Sequence, residues 1–134
     1  MKLSVLKFSY ALCFALLLAG CREKATIAGF DSSAWKNDRK SCKGVRTEMI
    51  DDVEKIRLQL YGMKEQQVFD ILGRPDAEEL YRNSQRFFFY YIQPGTQCQQ
   101  QGGLSEANML QVRMNALNKV SEITYKYPIP KEKQ

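Results

Sequence analysis

Apolar residues recur at helical spacing in the first half of the chain. They share one face over residues 46–60 and again over 64–72; the positions are Met49, Ile50, Val53, Ile56, Leu60, Val68, Ile71 and Leu72. Asp31 stands where it can cap a shorter helix that carries Trp35 and ends before Gly44. An indole in this place could stack on a ligand, but it more often anchors a core, and we predict a core role.

The period changes to two in the second half. Strands are predicted over residues 78–82, 85–92, 110–115 and 120–127. Asn83-Ser84 and Asn118-Lys119 supply short turns, and residues 96–106 form a longer polar loop. This order predicts an α+β domain over residues 31–127, with two to three N-terminal helices packed on one face of a four-stranded antiparallel meander, and a C-terminal tail at 128–134.

Residues 1–20 have the pattern of an export signal. Lys2 and Lys7 flank the start of an apolar run, the run is short for a transmembrane helix, and small residues follow it. Leu18-Ala19-Gly20-Cys21 resembles the bacterial lipobox, in which the cysteine is acylated and becomes the new N-terminus. The resemblance implies a lipoprotein whose lipidation site is Cys21, with acyl chains such as palmitate as its membrane anchor.

Residues 21–30 show no clear period, so we expect a lipidated N-terminus followed by a flexible tether that keeps the domain close to the bilayer. Arg22 follows the predicted lipidation site. In the lipoproteins that this sequence resembles, an aspartate at that position often retains the protein in the inner membrane. Its absence favours an outer-membrane location, with the domain facing the periplasm.

The chain has four cysteines. Cys13 would leave with the signal and Cys21 would take the lipid, so Cys42 and Cys98 remain in an oxidising compartment, and we predict that they form a disulfide. A redox pair would need the close Cys-x-x-Cys spacing that they lack. Two thiols in a chain with no histidine also make a poor metal site.

The formal charge of +5 comes from 20 basic and 15 acidic residues. Two of the basic residues lie in the predicted signal, which leaves +3 for the mature part, too little to indicate a nucleic-acid partner. That charge suits an anionic lipid surface or an ordinary soluble domain. Without histidine the serines have no imidazole to activate them, and there is no phosphate loop or metal-spaced cluster. We therefore expect a protein that is not an enzyme and has no catalytic residue, metal or cofactor.

The segment from Gly62 to Pro75 carries a recognisable motif. Its sequence, Gly-Met-Lys-Glu-Gln-Gln-Val-Phe-Asp-Ile-Leu-Gly-Arg-Pro, resembles a recurring segment of the BamE/SmpA/OmlA family of small bacterial lipoproteins, and of the β-lactamase-inhibitor-like fold. The resemblance covers residues 45–127 and implies a helix followed by a β-meander, and an accessory role in inserting proteins into the outer membrane. Lys64 departs from the family's usual Ser or Thr, and residues 35–42 replace its usual N-terminal segment.

The strand over residues 85–92 carries five consecutive aromatic residues. Successive side chains of a strand point to opposite faces, so these residues form two rows. One row contains Phe87, Phe89 and Tyr91, and the other contains Phe88, Tyr90 and Ile92.

One aromatic row should be open to solvent, because two short helices cover only one side of the sheet and the neighbouring strands have a polar side. The alternative, which stays open, is that the polar loop or the segment over residues 30–40 folds over it. We predict that Phe88 and Tyr90 are the exposed binding row and that Arg113 and Lys126 form its rim.

These features favour a non-catalytic outer-membrane lipoprotein that acts as a binding or scaffolding module, in outer-membrane protein assembly or in envelope integrity. Its partners would be the membrane, through the lipid, and an envelope protein; the outer-membrane assembly machinery is the candidate, and no nucleic acid is expected. The alternative is a periplasmic or surface inhibitor, or a ligand-binding lipoprotein, that uses the β-lactamase-inhibitor-like fold.

Overall fold

The computed structural model describes residues 22–99 and 105–127. The predicted signal at 1–20, the predicted lipidation site Cys21 and the predicted tail at 128–134 lie outside these residues, as does part of the polar loop. Within the described ranges, no helix is both long and apolar enough to cross a bilayer.

In the part of the chain that the structure describes, four α-helices precede the sheet. They are α1 (Ser32–Asn37), α2 (Val45–Glu48), α3 (Ile50–Leu60) and α4 (Glu65–Leu72). Asp31 caps α1 as predicted, because its carboxylate accepts hydrogen bonds from the N–H groups of Ser33 at 3.0 Å and Ala34 at 2.9 Å. α4 ends at Gly73, whose φ of 77° lies in the left-handed region that favours glycine.

The predicted helix over residues 46–60 is interrupted at Met49, which separates α2 from α3. The helix is divided because the two segments make different contacts with the rest of the domain. On α2, Arg46 donates to Asp76 at 2.6 Å and Thr47 donates to the Ile92 carbonyl at 2.8 Å. α3 instead buries an apolar face formed by Val53, Ile56 and Leu60.

Among the residues described, four strands form one antiparallel sheet in chain order. They are β1 (Ala77–Tyr81), β2 (Gln85–Tyr91), β3 (Met109–Met114) and β4 (Val120–Tyr125). The predicted α+β meander is confirmed. The register sets Phe88 opposite Val112 and Phe87 opposite Arg113, so these two pairs lie on different faces of the sheet.

The hydrophobic core lies between the helices and one face of the sheet, which we call the inner face. Fully buried side chains come from both layers, among them Trp35, Leu60, Ile71, Phe88 and Val112. Trp35 is a core residue, as predicted, and its indole N–H donates to the Leu72 carbonyl at 3.1 Å. The opposite face of the sheet has no helix over it within the described residues, and we call it the open face.

Cys42 and Cys98 form the predicted disulfide, with Cα atoms 5.5 Å apart. Both cysteines lie at short 3-10 turns. Cys42 directly follows the turn Arg39–Ser41, and Cys98 is the last residue of the turn Thr96–Cys98. The bridge joins the segment before α2 to the segment after β2. Closing a loop across the 56-residue separation restricts the unfolded chain by about 4 kcal/mol on the chain-entropy scale.

The two edge strands, β4 and β1, differ in whether another segment makes backbone hydrogen bonds to them. At the start of β4, the Gly62 N–H donates to the Val120 carbonyl and the Val120 N–H donates to the Met63 carbonyl, both at 2.9 Å. Within the described ranges, no segment makes such bonds to the outer side of β1. The four residues of β1 that are exposed are Glu78, Glu79, Leu80 and Tyr81.

Candidate functional site

The open face of the sheet carries a cluster of aromatic rings. Phe87 and Phe89 are half-buried and stack with their centroids 6.2 Å apart. Tyr81, from β1, meets Phe87 edge-on at 5.9 Å, and its side chain is 51% exposed. These geometries are the ones that aromatic pairs favour. We call Tyr81, Phe87, Phe89 and Arg113 the aromatic face.

Arg113 lies over the Phe87 ring, with the guanidinium carbon 5.7 Å from the ring centroid. It donates to the Gln85 amide oxygen at 2.9 and 2.5 Å and to Glu122 at 3.1 Å. All three partners are on the open face. The arginine is therefore held over the aromatic cluster by partners on β2 and β4.

Lys126, predicted as the second rim residue, lies beyond the end of β4 and away from this cluster. It pairs with Glu106 at 2.8 Å and stands 5.3 Å from the Tyr127 ring. The structure thus brings Arg113 to the aromatic rings and leaves Lys126 in a separate surface pair.

Phe88 and Tyr90 were predicted as the exposed row, and this choice is wrong because both are fully buried. They lie on the inner face, where Phe88 packs on Phe69 of α4 at 5.4 Å and the Tyr90 hydroxyl donates to the Gly73 carbonyl at 2.9 Å. The expectation of one open aromatic row beside polar residues holds, but for the other row.

The third member of that other row, Tyr91, is covered. Its side chain is buried, and its hydroxyl accepts a hydrogen bond from the Ser105 N–H at 2.9 Å. The segment before β3 therefore covers one end of the row, as the alternative in the sequence argument proposed. The accessible aromatic area ends at Phe89.

Residues 22–30, predicted as a flexible tether, pack on the domain instead. Ile27 and Phe30 are buried and belong to the hydrophobic core. Arg22 forms an ion pair with Asp70 of α4 at 2.5 Å, and the Ala25 N–H donates to the same carboxylate at 3.0 Å. Two isolated apolar residues make no period, so the sequence pattern carries no sign of this packing.

The Asp70 side chain is 6% exposed beneath this segment. Burial raises the pKa of Asp70, but the bonds from the Ala25 N–H and the Arg22 guanidinium outweigh it, and the pKa lies below its ordinary value. The carboxylate therefore stabilises the packed segment above the pKa of the unfolded chain. This stabilisation is lost as the pH falls through the lower pKa of the folded form.

We expect Asp70→Asn to loosen residues 22–30 because a hydrogen bond to a charged group contributes about 1.5–3 kcal/mol, so the Ala25 amide should exchange at least about tenfold faster. Acidification should likewise lower the protection of the Ala25 amide in the wild type, measured relative to its intrinsic exchange rate at each pH, and should have little effect on this protection in the variant. Amide hydrogen exchange followed by NMR measures both. The control is Asp52→Asn, since Asp52 pairs with Lys55 on an exposed face. Unchanged Ala25 protection in Asp70→Asn contradicts the assignment.

A buried ion pair that was not predicted from the sequence joins α2 to the residue before β1. Arg46 and Asp76 have side chains 1% and 0% exposed, with their charged atoms 2.6 Å apart. Asp76 also accepts from the N–H groups of Tyr91 at 3.0 Å and Lys40 at 3.2 Å. Arg46 stacks over Trp35 at 4.7 Å. These contacts join α1, α2 and β2, which makes the pair a structural element of the fold.

The described residues contain no group of three or more side chains suited to hold a metal ion. Comparisons of the chain with protein-family models, with curated proteins and with solved structures found no match. A functional assignment therefore depends on the residues and contacts of this chain itself.

Proposed function

We propose that this protein is a non-catalytic, lipid-anchored module of the outer membrane that binds an envelope protein through its aromatic face. The observation that carries the proposal is the cluster of Tyr81, Phe87 and Phe89 on the open face, with Arg113 held over Phe87. Aromatic and arginine side chains are enriched at protein interfaces, where they supply rigid apolar area with a polar edge.

The core does not explain why large rings stand on the open face. The helices already pack on the inner face, where Phe88, Leu110 and Val112 are fully buried. A solvated strand position tolerates smaller polar residues, as Gln111 and Thr124 show at neighbouring positions of the same face. An aromatic cluster at such a place, flanked by charged groups, is typical of a surface that a partner covers.

The lipid anchor and the assembly role are supported by sequence alone. The lipobox-like ending at Cys21 supports attachment to a membrane, and Arg22 supports the outer membrane. The resemblance of residues 62–75 to the BamE/SmpA/OmlA segment supports a role beside the outer-membrane assembly machinery. We propose that the aromatic face binds a component of that machinery.

The test compares a double substitution on the aromatic face with a single control substitution elsewhere on the surface. Phe87→Ala with Phe89→Ala should weaken partner binding at least about tenfold, because interface aromatic residues often contribute more than 1.4 kcal/mol each. Leu58→Ala should have no effect, since Leu58 is 76% exposed on α3, away from the sheet. A photo-crosslinker at position 81 in living cells identifies the partner, and titration with the purified partner measures its affinity for each variant.

The outcomes separate the possible functions. Crosslinks to barrel-assembly subunits, with affinity lost in the double variant, support the proposal; crosslinks to a hydrolase indicate an inhibitor instead. Sedimentation that shows a dimer lost in the same variant would make a second copy the partner. The anchor is tested separately by mass measurement of the mature protein, where a chain without acyl groups on Cys21 contradicts it.

A further inference from the structure

The chain enters the domain on the side of α4 that faces away from the sheet. Val68, Ile71 and Leu72 of α4 are fully buried towards the inner face. At 100° per residue, Gln66 and Asp70 lie on the opposite side of the helix. Asp70 is the residue that holds Arg22 and Ala25, so the N-terminal segment, α4 and the sheet form successive layers.

This packing fixes where a lipid on Cys21 would leave the protein. Arg22 is the residue next to the proposed lipidation site, and its guanidinium is held by the Asp70 carboxylate at 2.5 Å. One residue spans at most about 3.8 Å between Cα atoms, so the point of lipid attachment would stay close to Arg22. A freely moving tether would let the domain turn in any direction. A docked segment would instead direct the proposed acyl chains towards the outer surface of α4.

The surface around this point has a basic and partly apolar character. Lys24 and Lys64 line a shallow depression of about 430 Å³ together with Arg22 and Gln66. Within the described residues neither lysine pairs with a carboxylate, and Lys119 adjoins Lys64 in a β-bridge. Glu23 is the opposing charge in the depression.

An exposed leucine adjoins the same surface. Leu117, in the turn between β3 and β4, is 77% exposed, and it lines a neighbouring depression with Lys64, Gln66 and Phe69. Glu65 also lines this depression, and its carboxylate pairs with Arg86 at 2.5 Å. Lysines around an exposed aliphatic side chain are the combination that binds the headgroup region of an anionic bilayer. We call Lys24, Lys64, Gln66, Leu117 and Lys119 the α4 surface.

We propose that the α4 surface lies against an anionic lipid leaflet and that the aromatic face is thereby turned away from the bilayer. This proposal rests on the lipid anchor of the proposed function. It adds that the docked N-terminal segment orients the domain, so that the layer of α4, about 10 Å thick, separates the headgroups from the sheet. The partner would then approach from the aqueous side.

The experiment uses the full, acylated protein in vesicles of phosphatidylethanolamine and phosphatidylglycerol. Gln66→Cys and Thr124→Cys each add one thiol for a fluorophore at an exposed position, the first on α4 and the second on the open face near the end of β4. A headgroup-attached nitroxide should quench the label in Q66C at least about twofold more than the label in T124C. The layer of α4 would separate the label in T124C from the headgroups. A water-soluble quencher should show the reverse order.

A charge reversal tests the role of the lysines. Lys24→Glu with Lys64→Glu should lower quenching in Q66C towards the value in T124C, since each basic side chain contributes about fivefold to attraction by an anionic surface. The matched control, Lys55→Glu on the exposed side of α3, should leave it unchanged. High salt should act as the double reversal does.

Mass spectrometry of the same samples separates the two proposals. Chains without acyl groups on Cys21 overturn the lipid anchor and, with it, this orientation. Acylated chains in which both labels are quenched equally, or in which T124C is quenched more strongly, overturn the orientation and leave the anchor intact. Stronger quenching of acylated Q66C that the double reversal abolishes supports it.

Discussion

Replacing Arg46 with alanine should lower the free energy of unfolding by about 3–5 kcal/mol, because it leaves Asp76 charged and buried without its partner. The Asp76 side chain is fully buried, and Arg46 also donates to the Trp35 carbonyl at 3.0 Å. The variant therefore loses an ion pair, a main-chain contact and the stacking on the indole together. Equilibrium denaturation in urea measures the change.

Arg39→Ala is the matched control, since Arg39 approaches the same carboxylate at 3.8 Å but is 60% exposed. An exposed ion pair contributes less than about 1 kcal/mol, so this variant should stay close to the wild type. Equal effects of the two substitutions would show that burial of the Arg46–Asp76 pair does not decide its contribution.

The double substitution Phe88→Ala with Tyr90→Ala should unfold the domain. Truncating a buried aromatic residue to alanine costs about 3–5 kcal/mol, and two such losses approach the total stability of a small domain. Tyr90 loses its bond to Gly73 as well. Burial raises the pKa of its hydroxyl, so the group stays a protonated donor across the ordinary pH range. Circular dichroism and thermal melting should show the loss.

The neighbouring pair on the same strand gives the contrast. Phe87→Ala with Phe89→Ala removes two half-buried rings from the open face, at about 1 kcal/mol each, and should leave a folded protein. The loss of stability caused by truncating a side chain is thus expected to alternate from one residue to the next along β2. Similar melting temperatures for the two double variants would contradict the assignment of inner and open faces.

The architecture could be predicted from the sequence because local pattern determines most of it. The change from a helical period to a period of two separates the helices from the strands, and Asp31 and Gly73 mark helix boundaries by their own backbone chemistry. Trp35 and the pair Cys42 and Cys98 were also predicted correctly. A lone indole, and two cysteines left over after the predicted signal and lipidation site, have few alternative roles.

The alternation of side chains along β2 does not by itself show which aromatic row is exposed and which is buried. Alternation divides β2 into two rows, but only its register with β3 shows which row shares a face with the buried Leu110 and Val112. A loop of seventeen residues, from Ile92 to Asn108, joins the two strands, and it fixes no register. The buried Arg46 and the docked Arg22 were missed for a related reason, because each depends on a carboxylate at least 30 residues away.

The exposed edge strand β1 affects whether two copies of the protein can pair through their sheets at high local concentration. If two molecules met edge to edge in antiparallel register, Glu79, the middle residue of the strand, would lie opposite its own equivalent. Like charges at that distance repel, so the acidic residues guard the free backbone groups against strand addition between copies. If the proposed lipid anchor concentrates the protein in the plane of a membrane, this repulsion opposes aggregation by strand pairing between copies.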